Sequence, residues 1–204
     1  MSTTQERRGS RERDVEERAT LARLGRALGH RAQDEDLLDV AYTTLDTPVG
    51  RLLLAGTVHG LVRVAFDGEG HDAVLQSLAD RLGPRVLRAP ARLDAVAAQL
   101  EEYFAGRRTA FDVPLDLSLA HGFRRSVVEV LPRIGFGTTA SYAQVAALTG
   151  SPGAVRAVGT ACARNPLPVV VPCHRVVRSD GSPGEYVGGA PAKLRLLALE
   201  ARAG

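Results

Sequence analysis

The chain has 204 residues, 45% of them apolar and 24% charged, and its 11 prolines and 21 glycines follow no period, which excludes collagen-like and low-complexity architectures. No run approaches the ~20 apolar residues that span a bilayer, and the charged amino terminus lacks the apolar stretch of a signal peptide, so a cytoplasmic protein with no membrane partner is expected. The net charge of +3 is segregated: residues 122–204 hold ten cations against four carboxylates, and the remainder is mildly negative, a pattern that fits a polyanion-binding segment as well as a general preference for arginine.

Residues 1–39 form a charged leader, within which Val15, Ala19, Leu21, Leu24 and Leu28 offer a loose helical stripe over 14–29. From Val40 the pattern changes. Leu52 to Ala55 and Leu61 to Phe66 read as strands joined by the turn Gly56 to Gly60. Helical patterning follows over 71–82 and 93–104; in the second, Leu93, Val96, Ala97, Leu100, Tyr103 and Phe104 share one face. Arg85 to Leu87 and Ala110 to Leu117 read as short strands, giving an α+β domain over 40–120.

Residues 121–204 are patterned differently. Phe123, Val127, Val130 and Leu131 form an apolar helical stripe that ends at Pro132 and the Gly135-Phe136-Gly137 turn. Ser141 and Gln144 have the spacing of a capping box, with Gly150 as the stop of that helix. Ser151 and Pro152 look like the cap and first turn of a second helix over 152–164, which makes a helix-turn-helix candidate. On this second helix Val155, Val158 and Cys162 form the face expected to be buried. Arg156, Thr160 and Arg164 line another, with small Gly153 and Ala157 beside them. Such a face suits close approach to a nucleic-acid groove, and equally an ordinary solvated surface.

The chemistry gathers next. Asn165 to Pro172 contains three prolines and a β-branched run, which predicts an extended, buried path delivering Cys173 into the interior. His174 and Arg175 are adjacent, and nearby positive charge lowers a thiol pKa. On an extended strand His174 would point away from the sulfur, so a local bend or an intervening water is required. Glu200, one turn beyond Leu196 and Leu197, is the candidate for orienting the imidazole; a helix-end carboxylate in solvent would share its pattern. Cys162 reads as an inert core thiol. The loop from Arg178 to Gly189 carries four glycines and could lie against a planar ligand or serve as a connector.

Pro172-Cys173-His174-Arg175-Val176, preceded by Asn165-Pro166 and followed by Gly184-x-Tyr186-x-Gly188-Gly189 and Leu196-Leu197-x-x-Glu200, resembles the O6-alkylguanine-DNA alkyltransferases over about Val40 to Ala203. The resemblance implies a ribonuclease-H-like α+β domain followed by a helical, winged-helix-like domain with a helix-turn-helix. It implies direct repair of duplex DNA: an alkyl group moves irreversibly from O6-alkylguanine, and from O4-alkylthymine, to Cys173 after base flipping. Cys173 would be the nucleophile, with His174, acting through water and held by Glu200, taking its proton. Asn165 would brace the turn beside it. Tyr142 would help turn out the nucleotide and bond the flipped guanine, and Arg156 would enter the stack through the minor groove.

By the same resemblance Ser141, Gly153, Ala157 and Thr160 lie along the DNA, and Pro168, Val176, Tyr186, Val187 and Gly188 form the substrate pocket. No cofactor or metal is implied for the transfer, and a monomer is expected. The cysteines of the zinc site in mammalian relatives are absent. Three alternatives share parts of the pattern. A helix-turn-helix regulator would not need Cys173, a cysteine hydrolase would turn over, and a non-catalytic alkylguanine binder would lack the cysteine.

Overall fold

In the second strand the side chains alternate between two apolar surfaces, and this one feature sets the architecture of the first half of the chain. The computed structural model describes residues 37–203, together with 16, 17, 19, 20, 23–25 and 27, which are helical; the rest of the helix expected over 14–29 lies outside the described residues. A four-stranded sheet has the order β3-β2-β1-β4, built from β1 (Val40–Thr47), β2 (Gly50–Thr57), β3 (Gly60–Phe66) and β4 (Val86–Arg88). The first three strands are an antiparallel meander, and β4 joins β1 in parallel after helix α1 (His71–Leu82). Leu53 and Ala55 of β2 face Val74 and Leu78 of α1. Leu52 and Leu54 face the other way, toward Val96, Leu100 and Tyr103 of α2 (Asp94–Phe104).

The β2–β3 register shifts between Ala55 and Gly56, so that Ala55 pairs with Arg63 and Gly56 with Leu61. Val62 is the extra residue, and the bulge lets Leu61 and Val64 share the α2 side while Val62 joins the α1 side. The free edge of β3 is capped rather than extended. Leu61 N–H donates to the Pro114 carbonyl at 2.8 Å, Asp116 N–H to Leu61 O at 2.9 Å, and Val64 N–H to Pro166 O at 2.8 Å. The strand expected at Ala110 to Leu117 is therefore one bridge, Leu61 to Leu115, because Pro114 has no N–H to continue a ladder.

The second half is helical. Helix α3 (Phe123–Val130) buries Val127, Val128 and Val130 and passes into a 3-10 turn at Pro132. The two-residue strand β5 (Ala140–Ser141) leads into α4 (Tyr142–Leu148), and the Ser141–Gln144 capping box is formed, Gln144 N–H donating to Ser141 Oγ at 3.2 Å and Ser141 N–H to Gln144 Oε1 at 2.7 Å. Gly150 turns the chain with φ 73°. Helix α5 (Val155–Ala163) starts later than Ser151 and Pro152 imply, because Ala154 N–H bonds the Ser151 carbonyl and closes a turn first. Gly153 thus precedes the helix, and Val155, at its first residue, is 38% exposed rather than buried. β6 (Val176–Val177) pairs in parallel with β5, and α6 (Gly189–Ala203) closes the chain.

The largest buried cluster runs without a break from Leu52 and Phe66 of the sheet through Val127, Val145 and Val158 to Leu196 of α6. Among the described residues no helix is long and apolar enough to cross a membrane. Gly60, at φ 136°, leaves no room for a Cβ beside the Pro114 backbone that caps β3. Gly60→Ala should cost at least about 2 kcal/mol in urea unfolding, from backbone strain and the displaced cap.

Candidate active site

Residues 165–172 leave α5 as a succession of turns, not the extended path the prolines suggest. Val171 N–H bonds the Leu167 carbonyl at 2.8 Å, and Val169 takes φ 72°, which no other described non-glycine residue adopts. A β-branched residue in that region is strained by about 1–3 kcal/mol, which the packing must offset. Val169 is 1% exposed and Leu167 fully buried, so the surrounding core supplies that offset.

Asn165 holds this loop from within. Its Oδ1 accepts from Leu167 N–H at 3.0 Å, and its Nδ2 donates to Val171 O at 2.9 Å and lies 3.1 Å from Cys173 Sγ. The chain then makes a 3-10 turn, Cys173–Arg175, which supplies the local bend that adjacent Cys173 and His174 require. Cys173 is 2% exposed. Burial pushes its thiol up to about 11, against the opposing pull of the Asn165 hydrogen bond and the Lys193 charge. The lowered thiol pKa expected from Arg175 is not found, because that guanidinium is committed elsewhere.

Its partner is Glu200. Arg175 Nε donates to Glu200 Oε2 at 2.9 Å, Nη2 donates to Oε1 at 3.0 Å, and Nη1 donates to the Ile134 carbonyl at 2.6 Å. The same carboxylate accepts from the Tyr103 hydroxyl at 2.7 Å, from Gly137 N–H at 3.1 Å and from His174 Nε2 at 2.8 Å. Burial works to raise the Glu200 carboxyl, but the bonds from His174, Arg175 and Tyr103 prevail and hold it at about 2. An ionised carboxylate only accepts, so His174 must carry its proton on Nε2. Burial, with Arg175 and Lys193 nearby, pushes the His174 pKa down and keeps the ring neutral. Its Nδ1 is consequently a bare lone pair, buried, with no hydrogen-bond partner among the described residues.

The remaining candidates surround this centre. Tyr142 opens α4, half-buried, and a Cβ on Gly184 would stand 2.7 Å from its hydroxyl. Tyr186 is buried, with no hydrogen-bond partner for its hydroxyl among the described residues, and its ring meets Phe66 edge-on at 5.7 Å. Phe66 also fills the space a side chain would need at Gly188. Pro168 and Val176 are buried, and Val187 and Gly188 are half-buried. Arg156, Ala157 and Thr160 are exposed on α5, while Ser141 is spent on its capping box. Cys162 is buried on the inner face of α5, which raises its thiol strongly. Among the described residues no three His, Cys, Asp or Glu side chains converge as a metal site.

Two residues of the site escape the sequence reading. Tyr103 passes as one more apolar position of α2, although a tyrosine in a buried stripe needs a partner for its hydroxyl. Lys193 is fully buried and donates from Nζ to the Val176 carbonyl at 2.6 Å. It lies on the stripe of Leu196, Leu197 and Glu200, so the reasoning that singled out Glu200 extends to it one turn earlier.

Residues 40–117 match the family model described as the ribonuclease-like domain of 6-O-methylguanine DNA methyltransferase, and residues 122–202 match that of its DNA-binding domain. The methylated-DNA–protein-cysteine methyltransferase of Mycolicibacterium paratuberculosis is 38% identical over 163 residues, covering 80% of this chain and 93% of its own length. The Homo sapiens protein of that name is 39% identical, covering 79% and 81%. The crystal structure of Mycobacterium tuberculosis O6-methylguanine methyltransferase superposes with a TM-score of 0.71 at 36% identity, covering 81% of this chain and 94% of that one. The complex of the M. tuberculosis protein with DNA gives 0.69 at the same identity, covering 80% and 94%.

A carboxyl held at about 2 instead of 4.5 contributes stability that is complete above pH 4.5 and lost as the pH falls toward 2. The depressed His174 pKa acts in the same direction, from about pH 6.5 downward. Thermal unfolding across pH 7 to 3 should show a steep loss of stability in the wild type. Glu200→Gln should be less stable at pH 7 by about 3 kcal/mol, because Arg175 loses its counter-charge, and should respond more weakly to acid.

Proposed function

The chain belongs to the O6-methylguanine DNA methyltransferase family, and from that membership we propose how its residues divide the work of the transfer. The protein is a methylated-DNA–protein-cysteine methyltransferase, which repairs DNA by moving an alkyl group directly onto itself. The observation that carries the assignment of roles is the bond between His174 Nε2 and Glu200, which leaves the Nδ1 of the residue next to Cys173 in sequence a bare, buried lone pair. Residues 40–120 are read as the ribonuclease-H-like unit and 121–204 as the DNA-binding and alkyl-acceptor unit.

Cys173 is the nucleophile. An sp3 alkyl carbon calls for a soft, strong nucleophile in line with the departing O6, and a thiolate meets that need better than any hydroxyl. A thiol 2% exposed cannot reach a base inside a duplex, so the lesion must come to it, turned out of the helix. Arg156, exposed on α5, enters the minor groove and takes the place of the extruded base. The small exposed Gly153 and Ala157, with Thr160 and the β5–α4 junction at Ser141, allow the backbone to approach. Tyr142, next to Gly184, helps turn the nucleotide and donates to N3 of the guanine.

The base then lies between Tyr186, Val187 and Gly188 on one side and Pro168, Val176 and Cys173 on the other. The thiol proton passes through one water to His174 Nδ1, and the resulting imidazolium is stabilised by Glu200. The S–C bond forms as the C–O6 bond breaks, and the electron pair leaves on guanine, whose anion is met by the Val187 N–H near O6 and by Tyr142. Asn165 steers the sulfur throughout. The product is a thioether with no easily expelled group, so each molecule acts once, as a monomer in the cytoplasm, on O6-alkylguanine and on O4-alkylthymine.

Intact-mass spectrometry after mixing with duplex DNA containing O6-methylguanine tests this reading. The wild type should gain a single methyl group, located on Cys173 by peptide mapping and saturating at one per protein, and Cys173→Ala should gain none. No increment on folded, reduced wild type, or repair of several lesions per protein, would contradict it.

A further inference from the structure

The exposed face of α5 opens onto two clefts that share a wall. The first, of about 420 Å³, lies between Ala157, Thr160 and Arg164 on one side and His121 and Arg124, at the start of α3, on the other. The second, of about 400 Å³, has Arg124 and Arg164 in common with it and runs on to Arg63 of β3 and to Ser77 and Arg81 of α1. One continuous depression therefore leads from the helix that bears Arg156, across the junction between the two halves of the chain, to a helix of the amino-terminal half.

Its charge is one-sided. Four arginines line the second cleft against one carboxylate, Glu69, and Glu69 is already paired with Arg63. Arg81, Arg124 and Arg164 have no carboxylate partner among the described residues. Arg124 is half-buried and braced by a 2.7 Å bond from Nη2 to the Leu119 carbonyl, and its Nε is buried with no acceptor among the described residues. A brace on one nitrogen fixes the direction in which the others point. Like charges gathered along a concave wall suit a string of anions lying in it.

We propose that this arginine track binds the sugar-phosphate backbone of the duplex beyond the recognition helix, so that Arg124 and Arg164 take phosphates next to α5 and Arg81 takes one further out. The inference rests on the DNA-repair reading and extends it: the amino-terminal half becomes a DNA-contacting surface through α1. Duplex DNA is favoured over another polyanion because the track is continuous with the face that carries Arg156. Such contacts are blind to sequence, which suits a protein whose target is a lesion and not a site.

The test measures the affinity of the full-length chain for an O6-methylguanine duplex across a series of salt concentrations. Each phosphate contact removed should lower the slope of log affinity against log salt by about 0.9. Arg81→Ala and Arg124→Ala should each do so, with a several-fold loss of affinity at low salt. Their combination should lower the slope by about twice as much. Arg107→Ala, which lines neither cleft, should leave it unchanged. An unaltered slope for Arg81→Ala overturns the track, even with a wild type that transfers its methyl normally. A wild type that takes no methyl from the same duplex overturns the repair reading on which the track rests.

Discussion

A carboxylate only 1% exposed organises this molecule. Removing such a group from water costs several kcal/mol, and the interior can hold it only if its lone pairs are met in full. Glu200 meets that condition by collecting donors from four residues in three separate places: Tyr103 of α2, the Gly137 turn, and His174 and Arg175 of the 3-10 turn, all converging on α6. The arrangement is all-or-nothing. A helix α6 displaced by one turn, or an α2 that failed to dock, would leave charge buried and unpaired, so the polar junction specifies the packing that the continuous apolar cluster stabilises.

That junction also settles the protonation states on which transfer depends. Because the carboxylate is ionised, it fixes the His174 tautomer, and because burial, with Arg175 and Lys193 nearby, outweighs the pull of that carboxylate, the imidazole remains neutral. The thiol is treated the opposite way: burial pushes it up to about 11, which favours the protonated form at neutral pH. If Cys173 is the single-use acceptor proposed above, this is protective, since a free thiolate would be consumed by any stray electrophile. In the proposed mechanism ionisation is deferred until a substrate is in place and His174 takes the proton through water.

Much of this can be read from residue order, and the departures have physical causes. The capping box at Ser141 and Gln144, the helix over 71–82 and the paired strands around Gly56 to Gly60 depend on neighbours in sequence, and the structure contains them. The segment around Pro114 does not form a strand, since its carbonyls cap β3 from a distance in sequence that no local pattern records. The run from Asn165 to Pro172 looks extended by composition, yet it coils around the Asn165 side chain, whose three bonds outweigh the β-branched preference. The charge of Arg175 lies two residues from the Cys173 sulfur in sequence, but its partner in the fold is twenty-five residues away. Tyr103 and Lys193 escaped because a polar group on an apolar stripe reveals its partner only in three dimensions.

The protonation of His174 is the point on which the whole account turns, and nitrogen NMR of the imidazole in the reduced wild-type protein at neutral pH measures it directly. The account predicts a neutral ring protonated on Nε2, with Nδ1 resonating as an unprotonated nitrogen. An imidazolium, or a ring protonated on Nδ1, would contradict it, because neither could accept the proton of Cys173.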